Sequence, residues 1–201
     1  MAPPPTMEHM DVLEHGPSYA LSRVSQELSR SLEHVAQHES RSLSAFADAI
    51  AEAPRVFVIG AGRSGLALKM TAMRLMHLGL EVHVAGEVTT PAISSGDLLI
   101  TASGSGTTTG IVSAAETAVS LGAKVAAITT AASSPLAKLS SATIVVPAAG
   151  KLDRSEAASV QYAGSLFEQA VVLIGDAVFH ALWRRSGASA DDLWPRHSNL
   201  E

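Results

Sequence analysis

Hydrophobic positions along this chain change their period several times. Across residues 19–53, Leu21, Val24, Leu28, Leu32, Val35, Leu43, Phe46 and Ile50 recur at helical steps, the spacing of one long helix or of two in line. The next apolar run, RVFVIG at 55–60, is short, β-branched and closed by glycine, which predicts a strand. A glycine turn, AGRSG, and a helical stretch through Met70, Met73, Leu75 and Met76 to Gly79 follow it. Further strands are predicted at 80–85, 97–101, 124–129 and 143–146, with helices at 111–121 and 135–139. After a polar connector at 149–159, a long apolar helix runs from 163 to about 185. Strands alternating with helices at this spacing predict an α/β fold, a parallel sheet with helices on both faces and ligands at the carboxyl ends of the strands.

Punctuation by proline and glycine sets the domain plan. Residues 1–17 predict a mobile leader, and the proline-rich start lacks the basic and apolar regions of a secretory signal. The remainder, 18–201, predicts a single domain with N-terminal and C-terminal helices flanking the strand-helix alternation. Charges are expected to interrupt every apolar stretch before it reaches membrane-spanning length.

Composition narrows the chemistry. The chain has 201 residues, 47% hydrophobic and 16% charged, enough for a packed core. A formal net charge of -5, no Lys/Arg cluster and few aromatic residues argue against a nucleic-acid partner. With no cysteine there is no disulfide, Cys-based zinc site or thiol nucleophile, and the expected setting is the cytoplasm.

Two loops carry the candidate chemistry. LLITA at 98–102 runs directly into SGSGTT at 103–108, where glycine lets backbone N–H groups converge on an anion, and Ser103, Ser105 and Thr108 add hydroxyl donors beside the Gly104 amide. Without a Gly-Lys-Ser/Thr sequence this is not a nucleotide P-loop, so a small-molecule phosphomonoester is the expected anion. Gly60, Gly62 and Gly65 spell a literal G-x-G-x-x-G between strand and helix, with Glu87 about twenty residues on, which also fits a dinucleotide-binding turn. That alternative leaves the hydroxyl loop without a role. Treating Ser64 and the 103–108 loop as two walls of one phosphorylated-sugar pocket employs both.

The stretches GAGRSG (60–65), AMRLMHLG (72–79), Gly86-Glu87 with Thr90-Pro91, GDLLI (96–100), SGSGTT (103–108), SPL (134–136), GSLFE (164–168) and RHSNLE (196–201) resemble the SIS (sugar isomerase) family. Within it they resemble the 6-phospho-3-hexuloisomerases, where the AMRLMH run and the His-x-Asn-Leu-Glu ending are the specific features. Ser198 stands where that ending more often has alanine. The resemblance implies a three-layer α-β-α sandwich around a five-stranded parallel sheet, flavodoxin-like in its winding. It also implies interconversion of D-arabino-hex-3-ulose 6-phosphate and fructose 6-phosphate through an enediolate, in the ribulose monophosphate pathway of formaldehyde fixation. No metal or organic cofactor, a homotetramer and functional coupling with 3-hexulose-6-phosphate synthase are further implications.

By the same resemblance Glu168 is the base, and His197 is the group that passes a proton between the C2 and C3 oxygens, reaching a neighbouring subunit's pocket. From sequence alone, Glu168 reads first as a carboxylate favoured by a helix dipole, an order that only the resemblance reverses, and His197 reads also as a surface histidine. Ser103, Gly104, Ser105, Thr108 and Ser64, with the Gly106 amide, are expected to hold the phosphate. Gly62, Arg63 and Glu87 are expected at the sugar hydroxyls, although Arg63 and Glu87 also fit structural ion pairs. His77 and Arg74 read as packing or interface residues, and the methionines as core filler. A regulatory module that only binds a sugar phosphate would keep the hydroxyl loop but need neither Glu168 nor His197.

Overall fold

The computed structural model describes residues 16–150, 153, 155 and 159–200. Five strands form one parallel sheet: β1 (Val56–Gly60), β2 (Val82–Val84), β3 (Leu98–Ala102), β4 (Lys124–Thr129) and β5 (Ala142–Val145), in the order β2-β1-β3-β4-β5. All five predicted strands are present within one or two residues of their expected ends. The expected leader falls almost wholly on residues outside those described, and the first helix begins at Pro17.

The N-terminal helical pattern resolves into two helices, α1 (Pro17–His38) and α2 (Ser40–Glu52), broken at Glu39. α3 (Gly62–His77) follows β1, α4 (Thr109–Ser120) follows β3, α5 (Pro135–Leu139) follows β4, and α6 (Ser165–Ser186) follows the connector. A short helix α7 (Ala190–Leu193) and a 3-10 turn (Trp194–Arg196) lead to the end of the described chain.

Side-chain alternation along the strands builds two cores. Val56, Val58, Leu98, Ile100, Ala126 and Ile128 face the layer made by α1, α2, α3 and α6, whereas Phe57, Leu99, Val125 and Ala127 face α4 and α5. Both faces are therefore buried, as the near-continuous apolar strands require. α3 and α6 meet so closely that a Cβ on Gly175 would collide with Thr71 Oγ1. α6 is long and apolar enough, by length and composition, to cross a membrane, which corrects the expectation that charges interrupt every such stretch. Its Phe167, Ala170, Val171, Ile174 and Val178 lie in the core, the reason for its apolar character.

The methionine expectation is also corrected. Met70, Met73 and Met76 lie on the outer side of α3 with Leu66, while Ala67, Leu68, Ala72 and Leu75 make the inward stripe. The inward stripe mixes leucine with small residues, Ala67, Thr71 and Ala72, where α3 is wedged between the sheet and α6. His77 is buried, in keeping with a packing role.

At the amino ends of β1 and β3 a single ion pair ties the two central strands. Arg55 donates from Nε to Asp97 Oδ1 at 3.0 Å and from Nη2 to Oδ2 at 2.6 Å, and the Ser94 amide donates to Oδ2 at 2.7 Å. Burial alone would raise the Asp97 pKa. The Arg55 hydrogen bonds, the Ser94 amide and hydroxyl, and the Arg55 charge outweigh it and hold the carboxyl below its ordinary value. A depressed carboxyl contributes stability above its unfolded pKa and loses it as pH falls through the folded one. Asp97→Asn is therefore expected to lower stability by about 1.5–3 kcal/mol near neutrality, the scale of hydrogen bonds to a charged group. In denaturant titrations across pH, the gap from wild type should close below about pH 4; a gap constant with pH would contradict this account.

Candidate active site

The strand order reverses direction between β1 and β3: β2 lies to one side, β4 and β5 to the other, and the connecting helices α3 and α4 cover opposite faces. Loops leaving the carboxyl ends of two such strands must diverge, and a crevice opens between them. Here the crevice is a cavity of about 270 Å³ lined from the β1 side by Ala61, Gly62, Arg63 and Ser64, and from the β3 side by Ser103, Gly104, Ser105 and Thr108. Both glycine-rich loops thus reach one site.

On the β1 side, Gly60 and Gly65 touch backbone to backbone. A Cβ on Gly60 would lie 2.8 Å from the Gly65 nitrogen, and one on Gly65 would strike the Gly60 carbonyl oxygen. The first and third glycines of the motif therefore serve a tight strand-to-helix turn, and Gly62 adopts φ +58° at the first residue of α3. No side chain caps α3, which leaves its first-turn N–H groups without a capping partner beside the cavity that Gly62, Arg63 and Ser64 line.

On the β3 side, Ser103 is buried and shares a 2.9 Å hydrogen bond with Thr108 across the loop. Ser105 accepts from the Thr107 hydroxyl at 3.0 Å and from the Thr107 amide at 3.3 Å, while the Gly106 amide, expected at the phosphate, donates to the Ser103 carbonyl at 3.0 Å. α4 likewise starts without a side-chain cap. Hydroxyls, free amides and two helix amino ends converge, an arrangement with the chemistry of an anion cradle.

The third wall comes from far along the chain: Ala149, Ala163, Gly164, Phe167 and Glu168. Glu168 lies in the first turn of α6 with its side chain about 20% exposed, and Arg63 Nη1 donates to its Oε2 at 3.0 Å. The same Arg63 nitrogen donates to Ser165 Oγ at 3.1 Å, while Ser165 donates to the Tyr162 carbonyl at 2.8 Å. Arg63 thus spans the cleft from the first loop to α6 and fixes the carboxylate's orientation.

Several contributors were not legible in the sequence. Ala163 sits at φ +52°, an unusual conformation for a residue with a Cβ, and lines the cleft. Glu27 of α1 receives Ser159 Oγ at 2.7 Å, the Val160 amide at 2.9 Å and Gln161 Nε2 at 3.1 Å, and so tethers the segment that leads to Ala163. Burial would raise the Glu27 pKa, but these hydrogen bonds and Arg23 hold it below its ordinary value.

Two expected site residues lie elsewhere in the chain. Glu87, on the loop after β2, is ion-paired with Lys69 at 2.6 Å and does not line the cleft. His197 stacks on Trp194 and on His77, with ring centroids 5.0 and 5.3 Å apart, at the far end of α3. At 1.5 Å per residue α3 puts roughly 22 Å between that stack and the cleft. Among the described residues no group of three or more His, Asp or Glu side chains could hold a metal ion.

The SIS domain family model matches residues 49–169, from the end of α2 to the turn that carries Glu168. The 3-hexulose-6-phosphate isomerase of Mycobacterium gastri is 55% identical over 166 residues, covering 83% of each chain. The protein of the same name from Bacillus subtilis is 38% identical, over 90% of this chain and 97% of its own. A solved structure from Methanococcus jannaschii, for which a 3-hexulose-6-phosphate isomerase function was inferred, superimposes with a TM-score of 0.76 at 29% identity, covering 90% of this chain and 99% of that one. A parallel sheet wound in this order, a hydroxyl-and-glycine loop at its reversal point and relatives of this similarity together place the chain in the SIS-domain family.

Proposed function

We propose that this protein interconverts D-arabino-hex-3-ulose 6-phosphate and fructose 6-phosphate. The observation that carries the reading is the pairing, within one cavity, of a donor-rich loop suited to a phosphate with a single oriented carboxylate. The relatives named as 3-hexulose-6-phosphate isomerases support the same choice of substrate.

The reaction moves the carbonyl from C3 to C2. Ser103, Ser105 and Thr108, with the Gly104 and Ser105 amides and Ser64, grip the phosphate and so set the register of the sugar. Glu168 removes the proton on C2, an enediolate spans C2 and C3, and the proton returns to C3. Arg63, held at the carboxylate, lies beside the developing oxyanion, where a fixed positive charge stabilises it. The remaining step passes a proton from the C2 oxygen to the C3 oxygen, a task suited to histidine near neutral pH.

That histidine is His197, delivered by a neighbouring chain of a homotetramer. The separation along α3 supports this reading, because no small adjustment within one chain covers about 22 Å. Glu87 belongs to the Lys69 ion pair in this reading and not to the sugar contacts. The enzyme acts in the cytoplasm on the product of 3-hexulose-6-phosphate synthase, in the ribulose monophosphate pathway.

Purified protein supplied with D-arabino-hex-3-ulose 6-phosphate generated in situ is expected to form fructose 6-phosphate. Glu168→Gln should reduce kcat by about a thousandfold, within the range of general base catalysis, with the melting temperature nearly unchanged. Absence of turnover in the folded wild type would overturn the assignment. Mixing unfolded Glu168→Gln and His197→Asn chains and refolding them together should regain activity that neither variant has alone. If His197 served its own chain's cleft, each mixed site would still lack one of the two groups and no activity would return.

A further inference from the structure

We infer that Thr129 and Thr130, at the end of β4 and outside the cleft, are positioning residues that orient the phosphate-gripping loop through the Gly104 carbonyl. That single oxygen receives the Thr130 amide at 2.9 Å, the Thr130 hydroxyl at 2.8 Å and the Thr129 hydroxyl at 3.1 Å. The Thr129 oxygen itself accepts the Ala131 amide at 3.2 Å, which leaves its proton for Gly104. Three donors saturate a carbonyl that has two lone pairs.

The consequence follows from peptide geometry. Across a trans peptide the C=O of one residue and the N–H of the next point in opposite directions. Pulling the Gly104 oxygen toward β4 therefore turns the Ser105 N–H away from β4, and that amide donates to no group among the described residues. Gly104 and Ser105 both line the cleft, so the free amide is available to an anion there. Without the anchor this glycine peptide is free to flip and present its carbonyl oxygen, a repulsive group, to the phosphate. Immediately after it, the Leu136 amide holds the Gly106 carbonyl at 3.1 Å, and a Cβ on Gly106 would collide with Ser134, so the loop cannot yield on that side.

This inference rests on reading the cleft as a phosphate site, and two readouts keep the readings apart. The rise in melting temperature with inorganic phosphate reports anion binding without turnover, and fructose 6-phosphate formation reports the isomerase. Thr129→Val with Thr130→Val is expected to raise KM about tenfold and weaken phosphate affinity by the same factor, the scale of one net hydrogen bond, with kcat within about twofold. The double serine variant, which restores both hydroxyls, should recover KM and phosphate affinity. A folded valine pair with unchanged KM and phosphate affinity would overturn the anchor, as would a fall in kcat at constant KM. If wild type binds phosphate, the valine pair does not and neither turns over sugar, the anchor stands and the isomerase assignment falls. Thr130→Val alone keeps the amide donor and Thr129; if the valine pair does not fold, this variant carries the same test with an expected loss of about threefold.

Discussion

The pairing of β1 with β3 is the constraint on which the site depends. Their five-residue parallel register, from Val56 opposite Leu98 to Gly60 opposite Ala102, brings the two strand ends level. The chain then departs in opposite directions, α3 to one face and α4 to the other, and the crevice between the departing loops is an unavoidable product of that winding. Arg55 and Asp97 lock the same two strands at their other ends, so a register slip would strand the buried Asp97 carboxylate as well as break the sheet. A one-residue slip would also turn every inward side chain of β1 to the wrong core.

Rigidity at the cleft comes from close packing around its two loops. Gly60 and Gly65 press backbone on backbone, Phe167 lies under Gly104, and the end of β4 holds the Gly104 carbonyl. The anion cradle can then use neutral donors and helix dipoles in a chain whose formal net charge is -5. Arg63 is the exception, and it is balanced by Glu168. In the proposed reaction, the fixed amides are the gripping end of the site and the carboxylate and guanidinium its reacting end.

α3 relates the cleft to the rest of the surface. Its amino end forms one wall, its inward stripe packs on the sheet and α6, and its carboxyl end carries the stack of His77, His197 and Trp194. The same helix sends Leu66, Met70 and Met73 outward. In the proposed assembly, the apolar outer stripe and the docked tail lie on the same helix that walls the cleft.

The elements themselves were legible because local pattern dictates them: short apolar runs rich in β-branched residues made strands, period 3.6 made helices, and glycine marked the turns. The loops at 60–65 and 103–108 were legible for the same reason, since backbone freedom and hydroxyl donors are properties of short segments. Which face of α3 turned inward was not, because Met70 and Met73 are as apolar as Leu68 and Leu75, and only packing between the sheet and α6 selected the face that carries Ala67, Thr71 and Ala72 beside the leucines. The partners of charged residues were equally hidden: Glu87 went to Lys69, Arg63 to Glu168 and Glu27 to the segment before Ala163. Arg63 and Glu168 are 105 residues apart in the chain, and Glu27 and Val160 are 133 apart. The sequence by itself determined the elements, their parallel winding and the donor chemistry of the loops, each a matter of neighbouring residues. The tertiary structure alone decided which carboxylate faces the cradle and which donors aim it, because those contacts exist only once distant segments are packed together.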